Sequence, residues 1–463
     1  MRLIFVLLVL CVLSLQAARG QGIPSVVIQG IHVFDVHTGR MVPDQVVLIQ
    51  EGRIHAVVAT GAALTIPEGT RIIDGQGKYL IPGLMDAHAH VAHHAIRSHV
   101  TGDETLPLFL ATGVTSLRST GDPVLASAGV AHFAESHPEQ CPRVFLASPL
   151  IDGENPYHPD NGVSITDPEK VPAFVEDMAA WNVVSLKLYV GAPRSVGQAA
   201  IREAHKRGMN VIGHLGGYSA QEAVEDGIDV LEHMLSVYNY SMPVGTPWTD
   251  EDLANVDLSN QRCQDLVKAI VEHKTMVDPT LSILEVLYLR DQPEIYANPD
   301  KAYMPKRLIE NWEANREKYN TEPRAPLDVR RKQFKKYQEL TGILHRAGVT
   351  LLAGTDAPEP DVPPGFSMHR ELELLVESGL SPAAALRCAT INNATSVNQQ
   401  EQLGSVEAGK IADLVILTAD PTVNISNTRR IEYVLRGGRV VDPSEILKKF
   451  LGEAGGFSHA LVP

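Results

Sequence analysis

The sequence Asp-Ala-His-Ala-His at positions 86–90 is the strongest local sign of chemistry in this chain. Alternate residues of a β-strand point to the same face, so a strand that ends here presents the imidazoles of His88 and His90 to one point. The pattern alone is weak, because most chance His-x-His pairs face solvent or are satisfied in a core. Three more histidines follow closely, and we assign structural roles in the loop and first helix to His93, His94 and His99.

Residues of metal-ligand type recur at the ends of three later strand-like runs. His214 and His233 each end an apolar run, and Asp356 closes the segment Ala353-Gly354-Thr355-Asp356. In a parallel barrel the carboxyl ends of the strands meet at one mouth, so four histidines and a carboxylate converge there. Imidazole and carboxylate ligands suit zinc or a similar divalent ion.

Lys187 lies in the apolar segment 185–189, where an ammonium group is costly unless its charge is matched or removed. Two interpretations are open. Either Lys187 reaches solvent from a strand end, or its ε-amine has reacted with carbon dioxide to form an anionic carbamate that bridges two cations.

The middle of the chain alternates strand-like apolar runs with helical stretches. Eight such runs occupy residues 80–88, 113–119, 143–151, 183–190, 210–215, 230–233, 275–279 and 350–353. Eight strands, most of them followed by a helix, indicate an α/β fold of the (β/α)8, TIM-like barrel type.

Short β-rich segments separated by Gly, Pro and Asp flank this middle on both sides. They predict one small β-sandwich domain assembled from both chain ends. We therefore divide the chain into a signal peptide (1–20), the N-terminal part of the sandwich (21–80), the barrel (81–394), and the C-terminal part of the sandwich with a tail (395–463).

Residues 282–332, between the seventh strand and its helix, are long for a barrel connection. Their charge and scattered aromatic residues predict a mostly helical insertion. It is either a peripheral decoration or oligomer contact, or a lid over the barrel mouth.

The composition is that of an ordinary globular chain, with 463 residues and a formal net charge of −15. The excess of 55 acidic over 40 basic residues argues against nucleic acid as the main partner. None of the four cysteines has a Cys-x-x-Cys spacing, so thiol redox chemistry and thiolate zinc sites are poorly supported.

The first twenty residues have the order of a secretory signal peptide, with Arg2, the apolar run Leu3–Leu15 and small residues up to Gly20. We expect cleavage near Gly20 and export to the periplasm or the medium. An uncleaved anchor is the alternative, but about 13 apolar residues fall short of the roughly 20 that span a bilayer. No other stretch of the sequence predicts a membrane span.

Several motifs in the same order give the chain a resemblance to the amidohydrolase superfamily. They are Ile81–His90, Lys187, His214, His233, Gly354-Thr355-Asp356, the helix at 381–390 and the closing segment Leu403–Val415. The chain most resembles the imidazolonepropionase-related branch, which contains Xaa-Pro dipeptidases (prolidases) and ochratoxin-type amidases. The resemblance covers about residues 28–441 and implies a metal-dependent hydrolase of amide or peptide bonds.

The resemblance also implies two divalent metal ions, for which zinc is the expected metal. It places one ion at His88, His90 and Asp356, and the other at His214 and His233, with an N6-carboxylated Lys187 between them. A hydroxide bridging the ions would be the nucleophile, its pKa lowered by their charge. Asp356 would take the proton of this nucleophile and later deliver it to the leaving amine.

Candidates for substrate contacts carry less specific signals. Prolidase-like relatives often have a histidine after strand three that touches the substrate carbonyl, and His158 is the candidate here unless it is a surface histidine. Tyr218 and Tyr238 follow the fifth and sixth strands and can bond a substrate carboxylate, unless they are packing residues. Arg118 is a further candidate, beside Ser119, where relatives often carry Asp.

The leading hypothesis is a secreted binuclear hydrolase of dipeptides (Xaa-Pro or other C-terminal residues) or N-acyl amino acids. A cyclic-amide, imidazolone or lactone hydrolase of the same superfamily is the enzyme alternative, and a one-metal version of it would not need Lys187. An inactive metal-binding scaffold is the non-enzyme alternative. The expected partner is a small-molecule substrate, and the resemblance leaves a homo-oligomer open.

Overall fold

The computed structural model of the chain describes residues 23–242 and 248–452. The predicted signal peptide and its cleavage point lie outside the described residues. Two sheets form within these ranges, a parallel one from the middle of the chain and a separate one from its two ends. This arrangement confirms the predicted barrel and the smaller unit built from both termini, whereas the domain bounds at residues 80 and 394 stay a prediction.

The strands vary in length from 3 to 11 residues. In chain order they are β1 (Val26–Asp35), β2 (Arg40–Gln50), β3 (Arg53–Ala59), β4 (Arg71–Asp74), β5 (Tyr79–Pro82), β6 (Leu84–Ala89), β7 (Val114–Gly121), β8 (Arg143–Asp152), β9 (Gly162–Ser164), β10 (Ser185–Leu188), β11 (Asn210–Gly213), β12 (Val230–Glu232), β13 (Met276–Asp278), β14 (Leu414–Leu417), β15 (Ile431–Arg436) and β16 (Arg439–Val441).

The sheet from the chain ends runs in the order β16-β15-β14-β5-β1-β2-β3, with β4 paired to β1. The two ends of the chain meet where β5 pairs antiparallel with β14, for example Ile81 opposite Val415. β-Branched side chains suit such strands, and Ile28, Ile49 and Ile416 pack in the separate core of this sheet.

The barrel is a ring of parallel strands in the order β6-β7-β8-β10-β11-β12-β13, with β9 paired to β8. The predicted first strand, 80–88, is wrong in one respect, because its first residues belong to β5 of the other sheet. A break at Gly83, whose N–H donates to the Asp413 carbonyl at 2.8 Å, separates β5 from β6.

The eighth predicted strand, 350–353, closes the ring without forming a regular strand. Leu351 bridges to Val277 of β13, and the N–H of Ala87 in β6 donates to the Ala353 carbonyl at 3.0 Å. Side chains bond to backbone groups that would pair with a neighbouring strand in a regular ladder. For example, the Ala353 N–H donates to Asn393 Oδ1 at 3.1 Å. The ring is therefore closed by an irregular segment that leads directly to Asp356.

The helices lie outside the ring and after its strands. The α-helices are His94–Arg97, Gly102–Ala111, Val124–Ser136, Val171–Ala180, Arg194–His205, Ala220–Asp226, His233–Tyr240, Asp250–Ala254, Gln261–His273, Leu281–Leu289, Pro293–Tyr296, Lys306–Asn320, Leu327–Arg346, Phe366–Glu377, Pro382–Arg387, Asn393–Ser396 and Pro443–Gly452. Short 3-10 helices occupy Pro168–Lys170, Pro299–Tyr303 and Ile425–Arg429, and a π-helix occupies Cys388–Asn392.

The predicted insertion at 282–332 is mostly helical, as expected. Its helix Leu281–Leu289, called the cavity helix below, follows β13 and stands at the barrel mouth. Trp312, in the later helix Lys306–Asn320, is buried and donates to the Pro358 carbonyl at 3.2 Å. The insertion therefore packs against the segment that follows Asp356.

No helix in the two described ranges combines the length and apolar character that a bilayer crossing requires.

Candidate metal centre

One cavity at the carboxyl ends of the barrel strands collects all six residues predicted to bind metal. The cavity has a volume of about 190 Å³. The six residues come from or follow β6, β10, β11, β12 and the closing segment, and they are His88, His90, Lys187, His214, His233 and Asp356.

Asp356 joins the two histidines of the first strand. Its Oδ1 lies 2.7 Å from His90 Nε2 and 3.4 Å from His88 Nε2. Burial raises the pKa of Asp356, but the neighbouring His88 and His90 outweigh burial and hold it below its usual value. Asp356 has a φ of 65°, a left-handed conformation that is uncommon outside glycine and often found at functional sites.

His90 is held between two carboxylates in the structure. Burial lowers the pKa of His90, but hydrogen bonds to Asp122 and Asp356 outweigh burial and raise it to about 10. A metal ion that binds His90 must therefore displace a proton, as metal binding to histidine generally does.

His214 and His233 form the second half of the cluster. Their ring centroids are 4.6 Å apart, and His233 lies at the same distance from His88. His233 Nδ1 pairs with the Thr280 hydroxyl at 2.7 Å, which leaves Nε2 for another partner. Burial holds the pKa of both His214 and His233 well below the usual value, so both are the neutral imidazoles that ligate metals.

Lys187 is buried among these groups. Its side-chain nitrogen has no hydrogen-bond partner among the described residues, and only 1% of the residue is exposed. Burial lowers the pKa of Lys187 to about 8, which increases the fraction of neutral amine available to react with carbon dioxide. An orphaned buried amine beside four histidines and a carboxylate fits a carbamate shared by two ions, and a solvent-facing lysine does not fit.

Glu232 bonds to the ring of His88, and this role was not predicted from the sequence. Its carboxylate accepts from His88 Nδ1 and from Arg118 Nη2, each at 2.5 Å, and all three residues are buried. Such a partner fixes the orientation of a ligating imidazole. Its position directly before His233 was the available signal.

A second group of carboxylates organises the loop after β6. Asp122 accepts from His93 Nδ1 at 2.7 Å and from the Ser119 hydroxyl at 2.6 Å. His93 Nε2 lies 3.3 Å from Glu359, and both residues line the cavity. His93 therefore has more than the predicted structural role, because its side chain also lines the cavity.

His158 lines the cavity, as a substrate contact would. Its Nδ1 accepts from Arg97 Nη2 at 3.1 Å, and its ring centroid lies 5.5 Å from that of Tyr189. Tyr189 also lies 5.0 Å from His214 between ring centroids. Sequence reasoning missed Tyr189, although its spacing of two residues from Lys187 places both on one side of an extended segment.

The other three candidates for substrate contacts do not line the cavity. The Tyr218 hydroxyl donates to Asp226 at 2.9 Å, and the Tyr238 hydroxyl donates to the Leu253 carbonyl. Arg118 is buried against Glu232 and supports His88 indirectly. The structure therefore does not support direct substrate binding by these three residues, because none of them lines the cavity and each bonds to a partner outside the lining.

Comparison with known proteins places this geometry in a family. The amidohydrolase family matches residues 79–441. A curated relative, adenine deaminase 3 of Rhizobium meliloti (strain 1021), is 22% identical over 441 residues, which cover 93% of this chain and 60% of the relative. The chain thus spans about 60% of the length of that relative.

Two solved structures share the fold. A Xaa-Pro dipeptidase with bound methionine has a TM-score of 0.67 and 19% identity, with 90% of this chain and 100% of that chain covered. The ochratoxinase of A. niger has a TM-score of 0.65 and 16% identity, with 91% and 96% covered. Together with the family match they confirm the predicted resemblance. The chain belongs to the amidohydrolase family.

Proposed function

We propose that this chain is a secreted binuclear enzyme that hydrolyses the amide bond of dipeptides or N-acyl amino acids. One observation carries the proposal, which is the convergence of four histidines, Asp356 and an orphaned buried Lys187 on one cavity. A site with a single ion would leave the buried Lys187 without a function.

The residues divide into two sets of ligands. His88, His90 and Asp356 would hold one ion, His214 and His233 the other, and carboxylated Lys187 both. Divalent ions bound there would supply a water activated for attack and would polarise the scissile carbonyl. Zinc is the proposed metal, because histidine and carboxylate ligands suit it.

Asp356 and His158 would move or hold protons. Asp356 is ionised and can take a proton from the attacking water and pass it to the leaving amine. Because His158 Nδ1 accepts from Arg97, the proton of the neutral ring is on Nε2, which can donate to the substrate carbonyl.

The test is a panel of Xaa-Pro dipeptides, other dipeptides and N-acyl amino acids. The mature protein is loaded with zinc and bicarbonate, and a chelator-treated sample is run in parallel. We expect metal-dependent release of a free amino acid, and we expect Lys187→Ala to lose this activity and to bind fewer ions. Lys206→Ala, which changes an exposed lysine, is the matched control. Full activity and two ions in Lys187→Ala would contradict the proposal.

Purine deamination is a second candidate, favoured by the curated adenine deaminase relative. Adenine therefore belongs in the same panel, where release of ammonia distinguishes deamination from release of an amino acid. If neither substrate class reacts while two ions stay bound, cyclic amides, esters and lactones are the next substrates to test.

Export is the part of the proposal that depends on the first twenty residues. N-terminal sequencing of the protein recovered from the periplasm or medium of an expressing bacterium should begin near Gln21. Retention of the full chain in the cell would contradict it.

A further inference from the structure

Arg97 is a cation at the mouth of the metal cavity, and its only part in the proposed reaction is its hydrogen bond to His158. It ends the helix His94–Arg97, and its carbonyl accepts from Asn311 of the insertion at 3.1 Å. Its side chain lines the cavity and is 28% exposed. Among the described residues that line the cavity, the only Lys or Arg are Arg97 and the deeply buried Lys187.

Most N–H donors of the Arg97 guanidinium make no hydrogen bond to the described residues. Within the described part of the chain it makes one hydrogen bond to a side chain, from Nη2 to His158 Nδ1 at 3.1 Å. Two carboxylates stand farther off, Glu359 at 3.8 Å from Nη1 and Asp160 at 4.0 Å from Nε. Since a guanidinium has five N–H groups, most of its donors are open to a ligand.

The nearest carboxylate in the cavity does not satisfy this charge. Glu359 lies closer to His93 Nε2, at 3.3 Å, than to Arg97, and it also stands 3.7 Å from His94 Nε2. Asp160 is half exposed, so water screens its attraction for Arg97. Arg97 is therefore a poorly paired cation directed into a cavity, and a planar carboxylate is the ligand that fits its donor geometry best.

One part of the cavity lining, the aliphatic wall, is apolar. It comes from the cavity helix and from two barrel elements, and consists of Leu150, Leu235, Ile283, Leu284 and Leu287. A substrate that fills this cavity thus meets the proposed metal ligands, the Arg97 cation beside His158, and aliphatic side chains.

We propose that Arg97 binds the free carboxylate of the substrate, on the amine side of the scissile bond. His158, 3.1 Å from Arg97, is the proposed contact of the scissile carbonyl, so the two side chains can contact that carbonyl and a carboxylate that follows it across the amide nitrogen and one Cα. The aliphatic wall then receives an apolar side chain. This inference rests on the proposed function and narrows it to amides of apolar amino acids with a free carboxylate.

A purely structural role for Arg97 predicts a different outcome. If Arg97 only orients His158, its loss would slow every amide substrate by the same factor. If it binds the carboxylate, its loss would affect only substrates that carry one, and mainly through KM. A pair of substrates that differ only in this group separates the two roles.

The experiment compares N-acetyl-L-leucine with N-acetyl-L-leucinamide, and measures leucine and leucinamide release by chromatography. The zinc-loaded wild type should prefer the acid about ten- to hundredfold in kcat/KM, the range expected for hydrogen bonds to a charged group. Arg97→Met should remove this preference, and Arg97→Lys should keep part of it. Arg307→Met, on the insertion but outside the cavity lining, should behave as wild type.

Binding gives a readout that does not depend on turnover. N-acetyl-L-leucine should raise the Tm of zinc-loaded wild type and leave that of Arg97→Met unchanged, while the amide should raise neither. Equal use of acid and amide by wild type, or an equal loss of both in Arg97→Met, would overturn the role of Arg97 and leave amide hydrolysis standing. Acid-specific stabilisation without hydrolysis of either compound would instead contradict the proposed reaction and leave the carboxylate site standing.

Discussion

Replacing Glu232 with glutamine tests whether the metal centre depends on a charge buried beneath it. Glu232 is fully buried and joins a proposed metal ligand, His88, to the guanidinium of Arg118. Glutamine keeps the shape of the side chain and removes its charge. The change therefore isolates the electrostatic contribution of this contact.

The structure allows the cost to be estimated. Removing one partner of a buried ion pair costs about 3 to 5 kcal/mol, because the remaining charge is left uncompensated. The Nε and Nη1 atoms of Arg118 have no hydrogen-bond partner among the described residues. Asp278 lies in the same buried group as His88 and Glu232 and can partly take over, so about 3 kcal/mol is the expected loss. Loss of the partner of a ligating histidine also weakens metal binding by about 10- to 100-fold.

Urea unfolding of the metal-free protein measures the first effect, and zinc competition against a chelator measures the second. Glu232→Gln together with Asp278→Asn should be less stable than either single variant. Glu203→Gln, which changes an exposed ion pair with Lys206, should match wild type in both assays. If Glu232→Gln lies within about 1 kcal/mol of wild type and binds zinc equally well, the buried charge does not organise the centre.

Three further changes probe other parts of the same architecture. Gly354→Ala should lower both zinc binding and the urea midpoint, because the added Cβ would stand 2.7 Å from the Cβ of His88; an unchanged zinc titration would refute this. Trp312→Ala should cost about 3 to 5 kcal/mol in urea unfolding, as for other buried aromatic residues, and unaltered stability would show that the insertion is not anchored. Arg330 lowers the pKa of Asp291 to about 2, whereas an unfolded chain has an aspartate pKa of about 3.9. The pair therefore stabilises the fold fully above about pH 4, and this stabilisation is lost as the pH falls through about 2. Arg330→Met should therefore be less stable than wild type at pH 7, by about 1 kcal/mol once screening by water is allowed for, and acid titration of the urea midpoint should show the difference shrinking below pH 4.

The grouping of the candidate metal ligands could be predicted from sequence because it follows from strand periodicity. His88 and His90 share a strand face, and His214, His233 and Asp356 follow later strands of the same ring. The carboxyl ends of parallel strands meet at one mouth, so knowing the strand order was enough to bring these side chains together. Family assignment could likewise be made from the order of the motifs.

The walls of the cavity could not be predicted in the same way. Arg97 reaches the cavity from a short helix and Glu359 from a loop, and the path of both segments depends on contacts distant in sequence, such as the bond from Asn311 to the Arg97 carbonyl. Tyr218 and Tyr238 show the converse, because both follow strands and yet turn to partners outside the cavity. A strand end places a residue at the mouth, and local packing decides which way it points.

The irregular closing segment has a physical reason that links the fold to the site. A regular eighth strand would continue its ladder past Ala353, but Asp356 has a left-handed φ and its N–H donates to the His88 carbonyl at 2.7 Å. This turn brings the Asp356 carboxylate to His90, whose own N–H donates to the Ala357 carbonyl at 2.8 Å. Hydrogen bonds from side chains replace the missing backbone bonds of the ladder. They come from Asn393 and from the Asp86 carboxylate, which accepts from Thr355. These side-chain bonds stabilise the closing segment from positions that the substrate does not need to reach. Substitutions at Asn393 should therefore impair the metal centre, although Asn393 is not one of the proposed ligands.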